Sequence, residues 1–527
     1  MKTNNIEKLL FFFIPFAIFI IVAYFLVFKL EFVYGDSLSR TFHAYSVFFG
    51  NEPKLASIGL VWPPIPTLVQ LPLVLIKPLN TYGFAGNITS ALFMSLTVVF
   101  LNNILKHFKL GLLARVLVLL TFILNPMILF FGVNGMSEAV AIFFLVTTIY
   151  LLILYLSSKS TTYLLGLGAT ISLAIMSRWE MLVLIPTTIL VLIISIFLNS
   201  SKKLVSKIEG AVLLFLTPVI FTISIWILAN WIIMGDPLHF LTSIYSNTSQ
   251  AGKLSQEVSI FTNMQGNFIA VLSYLAQRVF FLFPAYLGFS LLIIFKAIKS
   301  RRPLVPISLL LLPSSLLLFH LVMLYKGQSF GWLRFSIYII PFAYMFLGYL
   351  IADIKNRYYK ITMVLGSIFI ICLSSISTVY AMANPELGRE EYQLTNAILS
   401  RDTTLLNNKI TESSTGVDIA TTTKIVSYIK DNIEEGKILI DDFVGFPIVY
   451  FAKQPDLFVE TIDENFKLVL SNPLMYEDVK YILAPKNESA GDLDAINIRF
   501  PGIFENGTDF TTLEKDFGEW RLYKIID

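Results

Sequence analysis

Cysteine is almost absent from this 527-residue chain: Cys372 stands alone, so no intramolecular disulfide and no Cys-x-x-Cys metal or redox site can form. Charge is scarce as well. Asp, Glu, Lys and Arg make up 14% of residues, the net charge is +3 and no basic block occurs, which gives no footing for a nucleic-acid partner. The polar C-terminal part carries no G-x-G-x-x-G, no Walker loop and no G-x-S-x-G, so the usual nucleotide cradles and the serine elbow are missing there. No internal repeat is evident.

Apolar residues dominate instead. At 56% hydrophobic and 14% aromatic, with long apolar runs recurring to residue 381, the chain reads as a polytopic α-helical membrane protein. The first run, Leu9 to Phe28, has about the ~20 residues a span needs and no small-residue cleavage site, so it reads as a retained first helix. About eleven spans are expected, near 9–29, 84–104, 112–131, 137–157, 161–178, 180–198, 209–233, 268–296, 303–325, 333–352 and 360–381. The apolar run from Pro63 to Pro78 is left out. It holds Pro63, Pro64, Pro66, Pro72 and Pro78, and each proline removes a backbone donor that lipid cannot replace. Charge supports this choice. With the N-terminus inside, the cytoplasmic connections collect the basic residues, among them Lys202, Lys203 and Lys207, and Lys299, Arg301 and Arg302; one more span would invert both clusters.

The composition changes near residue 384, dividing the chain into a membrane domain, 1–383, and a polar domain, 384–527, expected outside the cell membrane. A helical pattern at Thr423 to Asn432 precedes a strand at Lys437 to Asp441, a short helix at Pro447 to Ala452 and a strand at Leu457 to Glu460. A helix at Asn465 to Ser471, a strand at Val479 to Leu483 and a hairpin over Phe510 to Ile525 complete a small α/β domain. Asp441 and Asp442, at a strand end, read as turn residues or as ligand contacts.

The first outer loop, residues 30–83, places Asp36, Arg40 and His43 just beyond a span, where ionisable groups are expensive unless used. If Ser37 to Gly50 is helical, a turn of about 100° per residue puts these three on one face and Leu38, Phe42, Tyr45 and Phe49 on the other. Asp36 at that helix start also fits a simple N-cap. Other charged groups gather at span ends on the same side: Glu138, Arg178, Glu180, Asp236, Lys326 and Arg334. A lipid-phosphate headgroup sits at that depth. A carboxylate there can take a proton from an acceptor hydroxyl and cations can stabilise a departing phosphate.

Asp36 soon after the first span, the loop ending in Trp62-Pro63-Pro64, about eleven spans and a soluble C-terminal domain together resemble the GT-C superfamily of glycosyltransferases. Protein O-mannosyltransferases and the aminoarabinose transferases that use polyprenyl-phosphate sugars belong to it. Weaker echoes are Asn134-Gly135-Met136-Ser137-Glu138, Ser177-Arg178-Trp179-Glu180, Gly235-Asp236-Pro237-Leu238 and Trp332-Leu333-Arg334-Phe335. The resemblance implies transfer of a sugar from a polyprenyl-phosphate donor to an extracytoplasmic acceptor, with Asp36 as catalytic base. It implies for Glu138 the family's second acidic position, orienting the acceptor or, with Asp36, holding a divalent metal ion.

Arg334 and Arg178 are the first candidates for the donor phosphate, because arginine stays charged and grips phosphate oxygens in pairs; Arg40 and Lys326 follow. The alternative for Arg178 is an ion pair with Glu180. His43, Trp62, Glu180, Asp236 and His239 are candidate substrate contacts. The family often has lysine or histidine directly before its Pro-Pro; here Trp62 stands there, able to stack on sugar or to anchor the loop. The loop from Met234 to Asn267 is long enough to cover a site. A lipid-linked sugar flippase and a non-catalytic membrane sensor are the other functional classes this sequence leaves open.

Overall fold

In the computed structural model, residues 2–199, 203–257, 259–300, 303–406 and 416–526 are described. Lys202, Arg301 and Arg302 of the basic connections lie outside them, as does part of the polar stretch after residue 384. The chain packs as two compact units: one of residues 1–25, 60–66 and 87–406, the other of residues 26–59, 67–86 and 407–527.

The first unit is helical. Every apolar run expected to span is helical: among the described residues, eight helices are long and apolar enough to cross a membrane, and two further pairs reach that length if each is taken as one broken span. The expected eleventh, near 161–178, is the helix Thr162–Ile175, whose 14 residues fall short of the ~20 a span needs.

Both broken spans, expected as single helices, bend at proline. Leu112–Ile123 and Pro126–Val133 meet at 68°, and Phe268–Leu282 and Pro284–Lys299 at 101°. Proline removes the N–H that would continue the ladder, so other groups take up the exposed donors. Asn125 Oδ1 accepts from the N–H groups of Met127 and Ile128 at 3.1 and 3.3 Å, and Ser374 Oγ accepts from that of Ala285 at 2.9 Å.

Close helix approach depends on small residues. A Cβ on Gly168 would lie 2.2 Å from the carbonyl oxygen of Phe215, so helices Thr162–Ile175 and Leu204–Met234 touch backbone to side. Charged groups near helix ends are paired: Arg115 donates to Glu7 Oε1 at 2.5 Å, and Asn102 Nδ2 reaches the same oxygen at 3.2 Å.

In the second unit the proline-rich run breaks into the short helix Leu71–Val74 and the 3-10 turn Lys77–Gly83, after Ile65–Leu68. Helix Gly35–Phe49 is enclosed on both faces: Ser37, Arg40 and Thr41 are buried, and so are Leu38, Phe42 and Ala44. The face expected to carry Asp36, Arg40 and His43 is therefore not a solvated one: Arg40 is buried and Asp36 and His43 are partly so. Gly83 and Gly86 create the space, since a Cβ on either would come within 2.7 Å of Leu38 or 2.9 Å of Ser37.

The sheet of this unit has the order β2-β1-β3-β5-β4, with β1 Lys437–Leu439, β2 Phe458–Val459, β3 Val479–Pro485, β4 Thr511–Asp516 and β5 Trp520–Ile525. β1 pairs in parallel with β2 and β3, and β5 runs antiparallel to β3 and β4. Leu439, Val459, Ile482, Ile496 and Tyr523 form its core. The expected α/β pattern is present element by element, with helices Ile419–Asn432, Asp442–Ala452 and Phe466–Ser471 alongside the strands.

Candidate functional site

The helical unit contains a buried ionic cluster. The turn Asn134-Gly135 leads into helix Glu138–Ser158: Gly135 has φ +82°, and Asn134 Oδ1 accepts from Met136 N at 3.0 Å. Glu138 therefore enters the first helical turn, where the helix dipole favours an anion. It is fully buried. Arg178 occupies an extended residue between helix Thr162–Ile175 and the 3-10 turn Trp179–Val183, and its guanidinium bonds both Glu138 and Glu180. Tyr338 donates to Glu180 Oε1 at 2.8 Å.

Arg334, on the 3-10 turn Leu333–Ser336, approaches from the other side. Its Nε lies 3.5 Å from Glu138 Oε1 and 2.9 Å from Glu390 Oε2, with its Cζ 4.1 Å from the Trp332 ring centroid. Glu138 is thus shared by two arginines. His320 stacks on Phe335, centroids 5.0 Å apart, in the same cluster. Glu391, next to Glu390, is fully buried, and burial pushes its carboxyl up to about 8. Arg278 borders the cluster, donating to the carbonyls of Gly331 at 3.1 Å and Glu386 at 2.7 Å.

Of the candidates read from sequence, this arrangement joins Glu138, Arg178, Glu180 and Arg334. Lys326 is exposed beyond helix Leu304–Tyr325 and takes no part in the contacts above. Asp236 is spent locally: it accepts from Leu238 N at 2.9 Å and from the Thr242 hydroxyl, which holds its carboxyl below the usual range. His239 opens the short helix His239–Thr242 that follows, within a loop folded as short helices rather than left open. Trp62 is half-buried in a bend.

Sequence reasoning missed Glu390, Glu391, Tyr338, His320 and Arg278. His320 carried a signal, being an ionisable residue within an apolar span. Tyr338 carried another, standing four residues after Arg334.

In the second unit, Asp36 lies within the first turn of helix Gly35–Phe49 and is half-buried; the N-cap position belongs to Tyr34. Arg40 is buried one turn on. His43 Nδ1 lies 3.0 Å from the carbonyl of Ser57, and burial pulls its pKa down to about 4, so the neutral ring donates to that carbonyl. That bond ties the helix to the loop below it.

A second group of buried carboxylates follows the parallel strands. Asp441 accepts from Phe443 N at 2.9 Å, Thr461 Oγ1 at 2.8 Å and Ala495 N at 2.6 Å, which makes it a capping residue. Burial, then the neighbouring Asp441, pushes Asp442 up to about 8, and burial raises Glu460 and Asp494 too. Among the described residues, no group of three or more His, Cys, Asp or Glu is placed to hold a metal ion.

Residues 66–226, which include Glu138, Arg178 and Glu180, match the family model described as dolichyl-phosphate-mannose-protein mannosyltransferase. The crystal structure of ArnT from Cupriavidus metallidurans bound to undecaprenyl phosphate is similar with a TM-score of 0.55 at 12% identity, over 97% of this chain and 97% of that one. The Archaeoglobus fulgidus oligosaccharyltransferase in complex with Zn and sulfate is similar with a TM-score of 0.50 at 12% identity, over 89% of this chain and 68% of that one. No curated protein sequence matches the chain. The likeness to these structures shows the fold, a multi-span helical membrane protein with a small C-terminal mixed sheet.

Proposed function

We propose that this chain, a membrane glycosyltransferase of the GT-C type, takes one sugar from a polyprenyl-phosphate carrier and passes it to an acceptor hydroxyl on a protein, lipid or glycan. The observation that carries this reading is the pair of buried arginines, Arg178 and Arg334, meeting at Glu138. Guanidinium groups held in fixed planes suit the oxygens of a leaving phosphate. Support also comes from the mannosyltransferase match over residues 66–226 and from the ArnT structure, which holds undecaprenyl phosphate.

In the proposed reaction the acceptor oxygen attacks the anomeric carbon, and the bond from that carbon to the phosphate oxygen breaks. The electron pair leaves with the polyprenyl phosphate, and the acceptor proton passes to a carboxylate. Asp36 is assigned that base role on its position after the first span. Arg334 and Arg178 stabilise the phosphate, with Arg40 a further candidate. Glu138 acts by holding both arginines in place rather than by touching substrate.

A metal held by Asp36 and Glu138 fits poorly: Glu138 already lies between two guanidinium groups, and a third cation there meets repulsion. We further propose that the short helix Thr162–Ile175 also crosses, making eleven crossings, so that the N-terminus is cytoplasmic and the C-terminal domain, residues 384–527, extracytoplasmic, as the distribution of lysine and arginine favours.

The test is to incubate the purified protein with a panel of polyprenyl-phosphate sugars and to measure released polyprenyl phosphate. Asp36→Asn should lower turnover by about 10²- to 10⁴-fold, the range of general base catalysis, while donor binding is kept. Full activity in that variant removes Asp36 from the mechanism. Binding of lipid-linked sugar without turnover of any donor points instead to a flippase.

A further inference from the structure

We infer that Glu390 is a resident counter-anion for Arg334: it pairs with the guanidinium while the site is empty and yields it to the donor's phosphate. This rests on the reading of Arg334 as a phosphate contact. Arg334 and Glu390 are 4% and 2% exposed, and Nε lies 2.9 Å from Oε2. A carboxylate and a phosphate present oxygens of similar spacing to a guanidinium, so each can take the other's position.

The backbone that presents Glu390 is anchored. Helix Arg389–Ser400 follows helix Arg357–Ala383 after a turn in which a Cβ on Gly388 would lie 2.6 Å from the carbonyl oxygens of Ala381 and Met382. Asn396 donates to Ala383 O at 3.1 Å, and Gln393 donates to Leu405 O and Leu406 O at 3.1 and 2.9 Å. Exchange of Glu390 for phosphate therefore calls for a change of side-chain rotamer, with the helix left in place.

Charge balance points the same way. Glu138, Glu180, Glu390 and Glu391 face Arg178 and Arg334, with Arg278 at the border. Burial raises the Glu391 carboxyl to about 8, which favours its neutral form, and the carboxylates in contact with Arg178 and Arg334 are those of Glu138, Glu180 and Glu390. Both guanidinium groups of the empty cluster already have carboxylate partners. A phosphate group added to it, carrying up to about two negative charges once it has left the sugar, needs one carboxylate to withdraw.

The experiment uses the full-length protein in detergent, titrated with undecaprenyl phosphate, and compares wild type with Glu390→Gln, Glu390→Asp and Arg334→Met. Glu390→Gln should lower the lipid-free Tm, because Arg334 loses this partner, and yet tighten lipid binding about tenfold, equal to ~1.4 kcal/mol. A purely structural glutamate would lower both. If Arg334→Met weakens binding while Glu390→Gln leaves it unchanged or weaker, the counter-anion role is overturned and the phosphate reading stands. If Arg334→Met leaves binding unchanged, the phosphate reading fails and takes this inference with it. Should Glu390→Gln not fold, Glu390→Asp, whose carboxylate sits one methylene back, decides by the same signs with a smaller tightening.

Discussion

Replacing Glu138 by glutamine tests the centre of the ionic cluster. The substitution keeps the size and shape of the side chain and removes one negative charge from a fully buried position. Two arginines lose by it: Arg178 bonds Oε1 directly, and Arg334 Nε lies 3.5 Å from the same oxygen. Removing one partner of a buried pair costs ~3–5 kcal/mol, because the charge left behind has no water to turn to. Arg178 keeps Glu180 and Arg334 keeps Glu390, which places the expected loss near the lower end, about 3 kcal/mol.

The assay is the unfolding free energy in mixed detergent micelles, measured for Glu138→Gln, Arg178→Met and the double variant. The contact predicts a coupling of about 1–3 kcal/mol, so the double variant should lose less than the two single losses together. Lys54→Met provides the contrast. It breaks a half-exposed pair, Lys54 to Glu52 at 2.8 Å, and should change stability by ~0–1 kcal/mol. The reasoning is refuted if Glu138→Gln costs no more than Lys54→Met, or if the losses at Glu138 and Arg178 simply add.

Three further outcomes follow from particular contacts. Gly168→Ala should destabilise the helical unit by ~1–3 kcal/mol, since its Cβ would lie 2.2 Å from Phe215 O and 2.5 Å from Pro218 Cγ; an unchanged Tm refutes the packing argument. Asp442 is held neutral by burial beside Asp441, with its pKa raised to about 8. The folded state then binds a proton that the unfolded chain releases near pH 4, so this group's contribution is full below about pH 4 and is lost as pH rises through about 8. Hydrogen exchange in β1 and β3 of the full-length protein should accordingly quicken from pH 5 to pH 8 beyond the intrinsic rate change, and Asp442→Asn should remove the excess. Gly83→Ala, at φ +71° and with Leu38 Cδ1 2.7 Å from the new Cβ, should loosen the packing of helix Gly35–Phe49, seen as faster proteolysis of the loop that follows it.

The spans were legible because, in a chain with so little charge, an apolar run of about 20 residues fits the thickness of a membrane and little else. Their bends were less visible, since average hydropathy over a run does not register one proline. The dipeptide Asn125-Pro126 nevertheless carries both parts of the break, a side-chain cap and a missing donor, and Phe283-Pro284 carries the second part. The same scarcity of charge exposed much of the site. Glu138, Arg178, Glu180 and Arg334 stood out against apolar neighbours, and the structure brings all four together. Glu390 and Glu391 follow the last span, where charged residues are common and a buried pair looks like any other polar stretch. What separates them is depth, 2% and 0% exposed, which depends on how helix Arg389–Ser400 is pinned to the end of helix Arg357–Ala383. His43 shows the opposite case. The sequence places it on a polar helical face with Asp36 and Arg40, and only the fold of the loop to Ser57 reveals that its nitrogen is occupied by a carbonyl. A charged residue in apolar sequence thus announces itself, whereas a charged residue in polar sequence becomes visible only when the fold removes its water.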